Sequence, residues 1–293
     1  MKFCEKQLMR IAGLHTTSVV ESGSVPVICY DRLEKIPWVK NGFSTRIGGV
    51  STGDYESMNL SFTVGDDEAA VLENFKRFGA ALGISVEDMV YSHQTHTTNV
   101  MRVDASHKGM GILCDRTYCD IDGLVTNEPG LCLVTSYADC VPLYFVDIKN
   151  RAVGLSHSGW RGTVGNICKN TLSLMEREFG TKPKDVISCI GPSICKDCYE
   201  VSLDVAERFM ECYNVAQHDI LTAKENGKYL LNLHKANYYN MINCGILQEN
   251  ISGPDLCTCC NSAWLHSHRA TGGKRGGLCA FLMIDSSVSQ ILF

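Results

Sequence analysis

Short apolar runs alternate with amphipathic stretches along this chain, and the alternation predicts the fold class. Val25–Tyr30 (VPVICY), Leu131–Val134, Pro142–Ile148, Ala152–Leu155, Asp185–Gly191 (DVISCIG) and Leu278–Ile284 (LCAFLMI) are nearly continuous in apolar residues. Runs of that length predict buried strands. Met89–Val103 (MVYSHQTHTTNVMRV) reads as two extended runs around His93 and His96, and Asp120–Thr126 (DIDGLVT) leads into the central strands. Helical spacing takes over behind Asp66-Asp67-Glu68, where Val71, Leu72, Phe75, Phe78 and Leu82 share one face and Gly83 closes the element. Val164–Phe179 shows a second apolar face through Ile167, Cys168, Leu172 and Met175, ended by Gly180. Val201–Val215, with Val205, Phe209 and Cys212 inward, and Tyr229–Gly245 read as two further helices.

Strands and helices interleave with no Pro/Gly/Ser-rich linker, no internal repeat and no low-complexity segment. That predicts one α/β domain over residues 1–293, with residues 1–22 as a loosely specified lead-in. Pro142–Ile148 and Ala152–Leu155 are joined by a turn at Lys149 and Asn150, too short for a crossover. The two strands are therefore antiparallel and the sheet is mixed.

Composition narrows the function classes. With 45% hydrophobic and 20% charged residues, the 293-residue chain is a folded globular protein. Its net charge of −5, without any dense Lys/Arg stretch, argues against a nucleic-acid partner. No apolar run approaches the ~20 residues of a membrane span, and charges interrupt the N-terminal MKFCEKQLMRIAG. A cytoplasmic protein is expected, so the 16 cysteines are read mostly as reduced packing residues. Cys257, Cys259 and Cys260 (CTCC) are taken to lack knuckle spacing and a partner pair, so no second metal site is expected. Cys195 and Cys198 form a CxxC after a Gly-Pro turn without a thioredoxin-like context, and no redox role is expected.

The chemistry concentrates in Tyr137–Gly162 (YADCVPLYFVDIKNRAVGLSHSGWRG), where Cys140 and His157 follow apolar runs. Gly159, Trp160, Arg161 and Gly162 then lead into a helix whose N-terminus suits an anion. His93 and His96 are three residues apart; in an extended segment they point to opposite faces, so one of them faces a site. If His96, Cys140 and His157 converge, two histidines and one cysteine make a zinc shell with a fourth position open. Zinc there lowers the pKa of its water to near 7. The same residues also fit a metal-free Cys140–His157 nucleophile pair, or plain packing, and the residues leave the three readings open. Asp139 is a candidate orienter or general base. Arg161, Arg269 and Arg275 are candidates to hold an anion. Arg46, in the structured loop Asn41–Leu60, taken alone fits a surface or ion-pair arginine better than a ligand clamp.

Motifs in order along the chain carry a family resemblance. They are FSTRIGG (Phe43–Gly49), Met58-Asn59-Leu60, Gly65-Asp66-Asp67, QTH (Gln94–His96), DGLVT (Asp122–Thr126), ADCVP (Ala138–Pro142), HSGWRGT (His157–Thr163), IGPSI (Ile190–Ile194), CYEV (Cys198–Val201) and SHRATGGKRG (Ser267–Gly276). From about residue 40 to 285 the chain resembles the YfiH-like proteins, long called the multicopper polyphenol oxidase or laccase-domain family and described as purine nucleoside phosphorylases. Thr97 and His268 depart from the family's usual Gly and aromatic residue.

The resemblance implies a single-domain layered α/β sandwich of the cysteine-hydrolase-like kind, with His96, Cys140 and His157 as zinc ligands and copper as the less favoured ion. It implies phosphorolysis of adenosine, inosine, guanosine and methylthioadenosine, and deamination of adenosine. Purine nucleosides and phosphate are then the partners; the sequence does not specify an oligomeric state. His96, Cys140 and His157, with Arg46 and Asp139, are the candidate catalytic set. Arg46, Asn59, Arg161, Arg269 and Arg275 are the candidate substrate-binding set. The alternatives are a Cys140–His157 hydrolase or amidase acting on peptidoglycan precursors, a copper-dependent polyphenol oxidase, and a non-catalytic metal- or nucleoside-binding module.

Overall fold

The computed structural model describes residues 5–11, 13–214 and 219–288. The first strands are β1 (Thr17–Ser22), β2 (Val25–Tyr30), β3 (Val39–Ser44), β4 (Met89–Tyr91), β5 (Val100–Arg102), β6 (Gly123–Thr126), β7 (Cys132–Tyr137) and β8 (Val141–Asp147). They are followed by β9 (Ala152–Ser158), β10 (Val186–Ile190), β11 (Glu200–Val201), β12 (Leu221–Ala223), β13 (Tyr229–Leu231), β14 (Ile251–Ser252) and β15 (Leu278–Ile284). The helices are α1 (Asp31–Glu34), α2 (Glu68–Leu82), α3 (Trp160–Val164), α4 (Ile167–Phe179), α5 (Leu203–Cys212), α6 (Leu233–Asn243) and α7 (His268–Thr271).

Two six-stranded sheets, not one, form the middle of the molecule. Their orders are β1-β2-β3-β15-β7-β4 and β14-β10-β8-β9-β6-β5. Both are mixed: β4 runs parallel to β7, β5 to β6 and β14 to β10, while the remaining pairs are antiparallel. Side-chain alternation explains why the strands read as continuous apolar runs. Along β15, Leu278, Ala280, Leu282 and Ile284 enter one core while Cys279, Phe281 and Met283 enter another. Along β8, Tyr144 and Val146 face the first core, and Val141, Leu143 and Phe145 a third. The first core therefore lies between the two sheets. On the outer face of the first sheet α2 packs Val71, Phe75 and Phe78. On the outer face of the second, α4, α5 and α6 pack Leu172, Phe209 and Met241. The result is the expected layered sandwich, in the order helix, sheet, sheet, helix. Among the described residues no helix is long and apolar enough to cross a membrane.

Local chemistry accounts for the element ends and for several departures from expectation. Asp67 caps α2 by accepting the Ala69 and Ala70 N–H groups, and Gly83 closes it in the left-handed region. The stretch 164–179 is two helices, because Asn166 takes a left-handed φ of 56° and caps α4 with its side chain. The stretch 229–245 is strand then helix. Tyr229–Leu231 pairs with β11 and β12, and Asn232 then caps α6. The helix expected over 201–215 spans Leu203–Cys212, with Cys212 exposed at its end, and Val215 lies outside the described residues. The described part of the lead-in is tied to the body of the fold, and residues 1–4 and 12 lie outside the described residues. Thr17 opens an edge strand, and its N–H and hydroxyl bond the buried Asp255 carboxylate, which also pairs with Arg10.

Candidate metal centre

Buried Asp122 organises the site. Its carboxylate accepts the N–H groups of Thr95 (3.1 Å), His96 (3.1 Å) and Thr97 (2.9 Å), and the Thr97 hydroxyl at 2.9 Å. Those bonds close a tight turn between β4 and β5 in which His96 takes φ 65°. His96 thus reaches the site from a turn, not from the extended segment the sequence predicted. His93 also lines the cavity, contrary to the expectation that only one of the pair faces a site, but it is not among the three converging donors, and its Nδ1 accepts the Asp120 N–H. The Asp122 Oδ1 also lies 2.7 Å from His157 Nδ1, which leaves Nε2 of that ring free to bind a metal. His157 itself is the sixth residue of β9, held in register opposite Pro142 of β8. Cys140 comes from the short link between β7 and β8, after Asp139 at φ 89°.

His96, Cys140 and His157 converge: their ligand atoms all lie within 4.8 Å of one another. The set grades from buried His157 to exposed His96, so one side opens to solvent. Gly159 suits this closeness. A Cβ there would lie 3.1 Å from both Cys140 Sγ and His96 Cδ2. The electrostatics favour a thiolate. Burial alone would raise the Cys140 thiol, but the charge of His157 and hydrogen bonds from both histidines outweigh it and draw the thiol down to about 6. Burial likewise opposes charge on His157, and the Cys140 thiolate and Asp122 bond outweigh it, raising that imidazole to about 9. Burial works against the Asp122 carboxylate too, yet the bonds from His157 and Thr97 hold it below its ordinary range. Two imidazoles, one ready thiolate, a carboxylate behind one imidazole and a solvent-facing side form a donor set suited to a three-ligand zinc site.

The three ligands line a cavity of about 210 Å³ together with Gln94, Tyr91, Phe62 and Arg275. Arg275 donates from one terminal nitrogen to the Gly276 carbonyl, and its buried Nε has no partner. Burial lowers the Arg275 pKa. Gln94 pins the end of β7 by bonding both the N–H and the carbonyl of Ser136. The other sequence candidates are not among the residues that line this cavity. Arg46 donates to the Glu56 and Ser262 carbonyls and lines a separate cavity of about 510 Å³ that holds none of the three ligands. Asn59 is fully buried and bonds Ser61, Asp66 and Gly277. Exposed Arg161 stacks on Trp160 at the start of α3, a helix of only five residues. Arg269 donates its guanidinium to the Cys198 and Glu200 carbonyls. Asp139 has both carboxylate oxygens engaged, one by the Thr258 hydroxyl at 2.6 Å and one by the Arg269 N–H at 2.7 Å.

Two features escaped the sequence. Asp122 carries the cradle, although it stood in plain view as the first residue of DGLVT. The cysteine pattern also departs from expectation. Cys257 and Cys260 do have CxxC spacing, with Cys259 obscuring it, and a partner pair exists in Cys195 and Cys198. The four sulfurs lie within 4.8 Å of one another.

Fold and site together define a layered α/β sandwich with a His/Cys cluster that could hold a metal ion at the strand ends of its two sheets. A family model described as multi-copper polyphenol oxidoreductase laccase matches residues 40–285, and the chain belongs to that family. A purine nucleoside phosphorylase of Bacteroides thetaiotaomicron is 34% identical over 256 residues, 87% of this chain and 95% of that protein. Adenosine deaminase RL5, from an unknown prokaryotic organism, is 32% identical over 251 residues, 83% of this chain and 95% of that protein. The crystal structure of YlmD from Geobacillus stearothermophilus superposes with a TM-score of 0.85 at 30% identity, covering 92% of this chain and 99% of that one.

Proposed function

We propose that this chain is a zinc-dependent purine nucleoside enzyme. It phosphorolyses adenosine, inosine, guanosine or methylthioadenosine to base and ribose 1-phosphate, and deaminates adenosine to inosine. The observation that carries this reading is the convergence of His96, Cys140 and His157 on a cavity that also takes Arg275. Relatives named purine nucleoside phosphorylase and adenosine deaminase support the substrate class. A reducing cytoplasm suits the fifteen free cysteines among the described residues.

His96, Cys140 and His157 would hold the zinc, which supplies a Lewis acid able to activate water near neutral pH. The rest of the work is positioning. Asp122 fixes the His157 ring so that Nε2 faces the site. Phe62 and Tyr91 give the cavity an aromatic wall for a flat base. Arg275, with its unpartnered Nε, is better placed than Arg46 to hold phosphate as the oxocarbenium-like centre develops at C1′. At about 210 Å³ the cavity is smaller than the ~300–1,000 Å³ usual for ligand pockets. A nucleoside would therefore extend past its mouth, toward exposed His96.

A second reading rests on the Cys140–His157–Asp122 chain, which has the order of a nucleophile, its base and the group that orients the base. A hydrolase using Cys140 keeps full activity without metal and loses it on alkylation. Product analysis separates the readings: zinc-quantified protein is given adenosine with and without phosphate, beside His157→Ala. Inosine without phosphate, or free base only with phosphate, supports the nucleoside enzyme if His157→Ala abolishes it. No turnover by fully zinc-loaded protein sinks that assignment.

A further inference from the structure

Cys195, Cys198, Cys257 and Cys260 come from two loops far apart in the chain, and none of them borders the cavity that holds the first site. We propose that they form a second metal site, a closed tetrathiolate that holds one structural zinc ion and clamps the two loops around Asp139.

Spacing is the first support. Each pair is C-x2-C, the pattern in which one short turn presents two sulfurs to a single tetrahedral ion. Lys196–Cys198 is a single 3-10 turn after β10, and 257–260 is a turn after β14. Ser193 and Cys257 form a parallel bridge that lays the two turns side by side. Distance is the second support. Four sulfurs about 2.3 Å from one zinc stand about 3.8 Å apart. The Cys260 sulfur lies 3.5 Å from that of Cys198 and 4.0 Å from that of Cys195, which brackets this edge. In an iron–sulfur cubane each cysteine binds a different iron, which spreads the sulfurs farther. Two disulfides would separate the four into tight pairs, whereas here all four crowd one point. The third support is donor geometry. The backbone N–H groups of Cys195 (3.2 Å) and Cys260 (3.4 Å) both point at Cys257 Sγ, as suits a sulfur carrying negative charge. Cys259 remains outside the four.

With all four positions taken by protein, the ion has no open site for substrate, so its role is mechanical. What it would brace is specific. Thr258, within the second turn, donates its hydroxyl to the Asp139 carboxylate, and Ile194, next to Cys195, donates its N–H to the Asp139 carbonyl at 3.0 Å. Arg269 joins the Cys198 carbonyl to Asp139 through its guanidinium and its N–H. Both loops thus grip the left-handed residue that precedes Cys140. The clamp sets where the first site's thiolate stands.

Metal analysis of the full chain, isolated under reducing conditions, tests the site without reference to activity. The expected result is two zinc ions per chain in the wild type and one in His157→Ala. Cobalt-loaded His157→Ala should then show intense sulfur-to-metal charge-transfer absorption. Cys198→Ser/Cys260→Ser should keep one zinc and lose that absorption when combined with His157→Ala. One zinc in the wild type and none in His157→Ala overturns the proposal, whether or not the serine variant folds. Iron in place of zinc, or disulfides mapped within the four, overturns it equally.

Discussion

The two cysteine-bearing sites of this protein sit side by side and are built on opposite plans. At the first, two imidazoles and one thiolate come from a turn, a strand link and a strand, backed by Asp122 and facing a cavity. At the second, four cysteine sulfurs come from two turns, and two backbone N–H groups point at one of them, Cys257 Sγ. Three ligands with a solvent-facing side leave room for chemistry; four leave none. The contrast shows why cysteine count alone says little. A thiolate does chemical work where an imidazole and an opening accompany it, and mechanical work where other thiolates enclose it.

Removing a ligand from the open site has the largest expected effect. His157→Ala should lower nucleoside turnover on the order of 10³-fold or more, because a Lewis acid worth several kcal/mol goes with the metal. Steady-state kinetics beside a zinc count checks this; unchanged kcat in metal-free variant protein would break the contrast. Asp122→Asn comes next. One amide cannot replace both oxygens of a carboxylate that serves His157 and three N–H groups. Zinc affinity or kcat should fall about 10–100-fold, measured by competition with a chelator. At the closed site the readout is stability. Cys198→Ser/Cys260→Ser should lower Tm by roughly 5–10 °C in a thermal melt while the first site keeps its zinc. A full loss of both ions would mean the two sites are not separate.

How much of this was legible in the sequence depends on burial. β15 and β8 could be read because both faces are buried, so their runs are unbroken. β1 could not, since only Thr17 of its six residues is buried, two being half-buried and three exposed. The break in the 164–179 helix turns on one left-handed residue, Asn166, whose neighbours keep helical spacing. His96, Cys140 and His157 were recoverable from motifs, although spacings in the chain gave no geometry. Asp122 was missed because a carboxylate that binds backbone N–H groups leaves no partner pattern in sequence. The tetrathiolate was missed because its halves lie 62 residues apart at Cys198 and Cys260, and because Cys259 disguised the second CxxC.

The smallest effect sharpens the comparison most, since it reads the two kinds of thiol in one experiment. With zinc stripped, Cys140 and His157 titrate jointly as a thiolate–imidazolium pair. The Cys140 pKa falls from 9.0 to about 6, so its stabilisation is present at alkaline pH and is lost as pH drops toward 6. The His157 pKa rises from 6.5 to about 9, so its contribution is complete in acid and is lost as pH climbs through 9. The pair therefore stands between about pH 6 and 9. Over that window iodoacetamide should label Cys140 in stripped protein, with the rate falling at a midpoint near pH 6. Buried Cys132, whose thiol burial raises, should stay unlabelled throughout. Zinc loading should protect Cys140 at every pH, because the ion and the alkylating agent need the same lone pair. A Cys140 midpoint near 9 in stripped protein would mean that His157 does not share its charge with the sulfur, and the open site would then owe its thiolate to the metal alone.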